Sequence, residues 1–250
     1  MDLLTDLTFL HWLTIALAAV LVGSARAGLD GGPLIAIPLM AGVFGARLSS
    51  SIMLGIMLTA DLAALFKYRS LGSFRHLLRT LPYALAGILL GAFVGGRLSV
   101  ETFRTVVSVL ILLSAAMMLA QELKAGGFVL PERWYYAAPL GLLSGFSSMV
   151  GNAGGPIMSL FLLSSGLLKN QLIGTMVWFF FILNMMKLPF HVFAWHTLSV
   201  PTLLVDLAVA PLAVASVFGS ARLVQCIPEK PYRFFRLATV ALGGAYLLFT

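Results

Sequence analysis

Gly28-Leu29-Asp30-Gly31-Gly32-Pro33 returns, without a gap and 123 positions later, as Gly151-Asn152-Ala153-Gly154-Gly155-Pro156. Each copy sits between two apolar stretches: residues 7–22 and 33–44 flank the first, and 136–150 and 156–167 flank the second. A membrane crossing needs about 20 predominantly apolar residues, so the short runs opening at Pro33 and Pro156 read as half-membrane helices. Glycine permits a tight turn, and proline suits the first helical turn, where its missing N–H costs nothing. Non-helical backbone at membrane depth survives only inside protein or beside a water-filled cavity. Both breaks are therefore expected to aim a helix N-terminus into the protein.

The membrane setting follows from composition. Of 250 residues, 60% are apolar and 10% are charged, and the mean hydropathy is +1.01. Soluble domains carry about 25% charged residues. A soluble enzyme, a nucleic-acid binder and a disordered chain are thereby excluded. The net charge of +7 reads as basic loops facing anionic lipid. Cys226, the sole cysteine, excludes a disulfide framework and a multi-cysteine metal site. Neither a metal nor a cofactor is expected. The first six residues hold Asp2 and Asp6 and no base, so no cleavable signal peptide is expected.

Outward from the two tips, further apolar segments lie at 50–66, 81–96 and 103–119, and again at 172–190, 200–218 and 235–249. At the offset of the tips, Asp61 falls on Asn184, and Arg97-Leu98 returns, slightly drifted, as Arg222-Leu223. The expected fold is an all-α polytopic membrane protein of two inverted repeats. Each repeat has a broken or re-entrant helix pair plus three full transmembrane helices, giving 8–10 hydrophobic segments over the chain. Residues 1–122 form the first repeat, 123–133 a cytoplasmic linker and 134–250 the second repeat.

Basic residues orient the halves. If the 67–79 loop is cytoplasmic, alternating crossings put eleven bases inside: Lys67, Arg69, Arg75, Arg79, Lys124, Arg133, Lys169, Arg222, Lys230, Arg233 and Arg236. Three fall outside: Arg47, Arg97 and Arg104. Parallel halves would export the Arg222 loop, which the positive-inside rule disfavours. Inverted halves with both termini outside are expected, in a bacterial inner membrane. Secondary transporters built from inverted repeats bind substrate near the midplane. A helix N-terminus with free N–H groups and roughly half a positive charge attracts anions. Small residues also serve helix packing, but two Gly-Gly-Pro tips at matching positions favour a substrate site.

These residues resemble the TauE/SafE group of sulfite and organosulfonate exporters. The resemblance is carried by Gly28–Pro33 with its apolar run to Gly45 and the Ser/Met-rich helix that follows. It is carried equally by Gly141-x3-Gly145-Phe146-Ser147-Ser148, Gly151–Pro156 and Asn184, and covers essentially the whole chain. Where that family usually has a third glycine, this chain has Asp30 and Ala153. The resemblance implies export of small sulfur oxyanions, uncoupled or ion-coupled, without choosing the substrate.

Polar residues within the apolar segments complete the candidate site. Arg26 and Asp30 are four apart at the first break; they either pair with each other, or Arg26 grips the anion with its fork of donors while Asp30 tunes or releases it. The substrate-binding set is Arg26, Gly28, Asp30, Gly31, Gly32, Ser147, Ser148, Gly151, Asn152, Gly154, Gly155, Asn184 and Lys187. Asp61, about 9 Å from its helix end at 1.5 Å per residue, is shallow enough for water to reach and is the candidate coupling carboxylate. Lys187, near the outer end of its helix, is expected to snorkel, and His191 and His196 to be interfacial with Trp195. The partners are a small anion such as sulfite or a sulfonate and membrane lipid, with homo-oligomerisation left open and no nucleic acid. An anion channel or an importer of another organic anion is the alternative. An intramembrane enzyme using Ser147 and His191 ranks lower, because nothing orients the histidine.

Overall fold

The computed structural model describes residues 7–29, 31–94 and 134–228 continuously, plus positions 105, 109, 112, 116, 231, 232, 234, 235, 238, 239 and 242; of Ala46 and Arg47 it describes the backbone alone. Asp30, the 123–133 linker and most of the expected segments at 103–119 and 235–249 lie outside the described residues.

Helix α1 runs Phe9–Arg26. The first tip then leads into α2, Gly32–Gly45, and α3, Leu48–Tyr68, which meet at a bend where Gly45 has φ 74° and ψ 162°. Next come α4, Phe74–Val94, and, in the second copy, α5, Trp134–Gly151, and α6, Gly155–Ser164. Helix α7, Lys169–Pro189, passes into a π-helical turn at Phe190–Ala194, and α8 spans Val200–Cys226. Among the described residues five helices are long and apolar enough to cross a membrane: α1, α3, α4, α7 with its π turn, and α8. Helices α2 and α6 are too short to cross. The described residues are thus all-helical, and the protein is a multi-pass membrane protein.

Two spans are longer than expected. Helix α4 starts at Phe74 rather than near residue 81, because the polar side chains of its first turns turn inward and are satisfied there. His76 and Thr80 are buried, with His76 Nδ1 2.7 Å from Ser73 Oγ and Thr80 Oγ1 donating to His76 O at 3.0 Å. Helix α8 runs eight residues past 218. Its Ser220 hydroxyl meets Ser24 Oγ of α1 at 2.9 Å, so a polar residue that reads as a terminator is an interhelical link.

Helices α3 and α7, which occupy equivalent places in the two copies, are the most buried spans. They run antiparallel: Asp61 meets Asn184, while the backbone of Tyr68–Gly72 lies against Gly174 and Trp178 Nε1 donates to Arg69 O at 3.1 Å. Around them, α1 packs on α8, and α5 packs on α4. The first helix of each copy thus lies on the last described span of the other. The α4–α5 crossing is close: Gly145 abuts the Ala84 backbone, and Gly87 abuts that of Leu142. Small residues at a crossing bring backbones near enough for dispersion to hold helices together without a hydrophobic driving force. The α1–α8 crossing uses serines instead, Ser216 Oγ donating to Val20 O at 2.7 Å. Leu13, Leu17, Leu62, Phe66, Leu89, Phe93, Leu203 and Leu207 are exposed on the outside, an apolar surface suited to acyl chains.

One end of the bundle gathers the bases. Lys169 Nζ, at the start of α7, donates to Val224 O (2.9 Å) and Ile227 O (2.6 Å) at the end of α8. Ser73 N, beside the α3–α4 loop, donates to Thr175 Oγ1 at 2.8 Å. Lys67, Arg69, Lys169 and Arg222 therefore share an end.

Candidate functional site: a cavity between two helix tips

The two Gly-Gly-Pro tips face one cavity. Its walls include Arg26, Gly28, Gly31 and Pro33 from the first tip, and Ser148, Asn152, Ala153, Gly155 and Pro156 from the second. The remaining wall is apolar, with Met57 from α3 and Ile173, Met176, Val177 and Phe180 from α7. The first N–H groups of α2 and α6 have no intrahelical acceptor, and both helices begin at this space.

The first tip is built by glycine geometry and by a clasp from the far end of the chain. Gly28 and Gly31 have φ of +104° and +103°, a region where a Cβ is strained. Tyr232 Oη donates to Gly28 O at 2.9 Å. Gly31 N-caps α2, and Leu34 N donates to its carbonyl at 3.0 Å. The second tip is clasped by its own helix, where Ser144 Oγ donates to Gly154 O at 2.8 Å and Ala153 N to Ser147 O at 3.1 Å. Here the left-handed residue is Asn152, with φ 55°; asparagine tolerates that region better than most side chains.

Behind the cavity lies a buried polar chain. Arg26 Nε is 2.6 Å from Asp61 Oδ1, with side chains 9% and 0% exposed. The contact is an ion pair without hydrogen-bond alignment. Asn184 Nδ2 donates to Asp61 Oδ2 at 2.6 Å. Asp61 and Asn184 are separated by the same 123 positions as the tips, so each copy contributes its equivalent residue to one contact. The Arg26 guanidinium also stacks over Phe180, 4.8 Å from the ring centroid, a cation–π contact strengthened by burial. No oxygen among the described residues accepts from the rest of the guanidinium, which borders the cavity.

Three expectations about depth are corrected. Asp61 is fully buried rather than within reach of water; α7 covers it and Arg26 neutralises it. Lys187 is 1% exposed and does not snorkel: its Nζ donates to Asn152 Oδ1 at 2.9 Å, reaching inward to the second tip because α7 continues beyond it through the π turn. His191 is buried rather than interfacial, its Nδ1 2.8 Å from Thr197 Oγ1. Ser147 Oγ has no partner among the described residues, and His191 Nδ1 lies against Thr197, so the serine–histidine pair of the enzyme reading is not formed.

Of the candidate residues, Arg26, Gly28, Gly31, Ser148, Asn152 and Gly155 line the cavity. Gly32 and Gly154 do not; they press against the backbone of Leu21 and of Ser144 respectively. Ser147, Asn184 and Lys187 are buried behind the wall, and Gly151 is the last residue of α5. Asp30 is outside the described residues, and the ion pair of Arg26 goes to Asp61 across the fold. Phe180 and the α7 wall carry no signal in the sequence, because an apolar residue in an apolar helix looks like every other.

The family model described as sulfite exporter TauE/SafE matches residues 15–247, nearly the whole chain. No curated protein matches it. Two Gly-Gly-Pro tips facing one cavity, in a bundle of apolar spans, accompany a match over almost the full length: the chain belongs to the TauE/SafE family of sulfite exporters.

Proposed function

We propose that the protein exports a sulfur oxyanion, sulfite or an organosulfonate, and binds it between the two tips. One observation carries the reading. Among the described residues, two basic side chains, Arg26 and Lys187, are buried around this space with one carboxylate, Asp61, and Lys187 is within electrostatic reach of both. Among these described groups one basic side chain lacks a counter-ion until an anion arrives. Buried charge is tolerated when paired, so the binding of an anion completes the site. The guanidinium fork and the N–H groups of Gly31 and Gly155, which line the cavity, supply donors matched to several oxygens on one centre. Asp61 is the competitor that the anion must outbid for Arg26, and hence the coupling candidate within the site.

The antiparallel run of α3 and α7 supports inverted repeats, and the gathering of bases at one end supports placing that end in the cytoplasm. An impermeant maleimide tests the orientation on the native chain, since Cys226 is exposed at the end of α8. Labelling in right-side-out vesicles is expected only after permeabilisation. Labelling of sealed vesicles reverses the orientation. For the substrate, purified protein is screened by thermal shift against sulfite, methanesulfonate, acetate and chloride at equal concentration. Sulfite and the sulfonate are expected to raise the melting temperature most; stabilisation by acetate alone would refute the sulfur-anion reading.

A further inference from the structure

A second buried carboxyl, far from the tips in sequence, belongs to none of this machinery. Asp206 lies in the seventh position of α8 and is 5% exposed. It falls on the inward stripe with Thr202, Val205 and Val209, while Leu203, Leu204 and Leu207 form the exposed face of the same helix. Its two oxygens are buried, and neither has a hydrogen-bond partner among the described residues. The carboxyl is packed so tightly on α3 that a Cβ at Gly55 would collide with it. One turn earlier on α3, the Ser51 hydroxyl is also buried and unpartnered.

Helix α8 packs on α1 and on the α2–α3 arm. Their titratable and charged groups with described side chains are His11 and Arg26 on α1, and Asp61, Lys67 and Tyr68 on α3. None forms an ion pair with Asp206: Arg26 is held by Asp61, and His11 Nδ1 is bonded to Thr8. Asp61 itself lies six residues beyond Gly55, about 9 Å along the helix, and Lys67 and Tyr68 lie farther on. An ionised carboxylate so placed would lack every contact that makes burial of a charge tolerable. The acid form requires none of them. Ionisable groups inside membrane spans mark ion pathways and proton relays, and a carboxyl with no structural partner has no packing role to explain it.

We propose that Asp206 carries a proton whose movement is coupled to anion transport. It takes the proton from water when the α3–α8 contact opens to one side. It holds the proton as a carboxylic acid while packed on Gly55, and returns it to water on the other side, the O–H bond breaking without any further reactant. This rests on the transport reading above; Asp61, engaged by Arg26 and Asn184, is left to the anion site.

Two measurements test it. Infrared difference spectra of purified wild-type and Asp206→Asn protein should show a protonated-carboxyl C=O band in the wild type alone, lost on alkalinisation. In proteoliposomes, an imposed pH gradient should change wild-type sulfite flux. Asp206→Asn should retain sulfite counterflow within about twofold yet lose at least tenfold of the response to the gradient. Sulfite speciation is the same for both proteins, so the difference reads the side chain. Gly55→Ala, which leaves every ionisable group in place but crowds the carboxyl, should shift the band and weaken the response. Absence of the band, or an undiminished response in Asp206→Asn beside normal sulfite flux, overturns the role of Asp206 alone. A wild-type protein that moves no sulfite unseats the transport reading, and the coupling falls with it.

Discussion

The first tip takes five residues, 27–31, to turn from α1 into α2, whereas the second takes three, 152–154, between α5 and α6. Two glycines with positive φ make the longer turn, and Asn152 alone makes the shorter one. At the position where the first tip carries Arg26, the second carries buried Met149, and opposite Lys187 in the second copy stands buried Ala64 in the first. The copies therefore share a backbone plan and divide the charges between them. Arg26 and Asp61 come from the first copy and Asn184 and Lys187 from the second; Asp61 is bonded to Asn184, and Lys187 to Asn152. A symmetric arrangement with two buried arginines would repel itself, and the proposed anion site avoids this by dividing the roles.

The sharpest way to break this division is to remove its charge. Arg26→Gln leaves Asp61 buried without its counter-ion, which costs about 3–5 kcal/mol for buried pairs. A large fall in melting temperature is expected, together with loss of sulfite binding by calorimetry. Adding Asp61→Asn should restore most of the stability and none of the binding. Sulfite binding that survives in the double variant would move the anion away from the first tip.

A medium effect distinguishes the two tips as backbone devices. Gly31→Ala places a Cβ where φ is +103° and Thr239 is close, so a cost of about 1–3 kcal/mol is expected from the strained backbone and the contact. Gly155 has nothing within reach of an added Cβ and lines the cavity. Gly155→Ala should therefore leave the melting temperature within a few degrees of wild type while weakening sulfite binding, because the methyl group enters the cavity proposed to hold the anion. Equal stability losses in both variants, with no effect on binding, would reduce the second tip to a packing element.

The smallest effect is expected at Asn152. Asn152→Gly relieves the left-handed backbone but removes the acceptor for Lys187 Nζ, so the two contributions oppose one another. Asn152→Ala loses the acceptor and keeps the strain. The glycine variant should be the more stable of the two by about 1 kcal/mol, the usual worth of the Cβ penalty in that region, as read from urea or thermal unfolding. The reverse order would mean that the turn is held by its neighbours and not by φ.

Much of this arrangement was written in the chain. The gapless repeat of Gly-Gly-Pro marked both tips, the run lengths separated half-helices from spans, and the recurrence of Asp61 as Asn184 flagged a shared polar position. Periodicity and composition decide such features because helix formation in an apolar solvent is local: each span satisfies its own backbone. Sequence could not decide which charges pair. Arg26 had Asp30 four residues away, yet its ion pair goes to Asp61. Lys187 near a helix end looked free to reach the interface, but its side chain turns inward to Asn152 and α7 continues beyond it through the π turn, so it is buried. Nor did Asp206 stand out, since its isolation depends on α3 and α1 closing over one face of α8. Pairing and burial are properties of helices brought together from distant parts of the chain, so only the tertiary packing could assign a partner to each charge and leave one carboxyl without any.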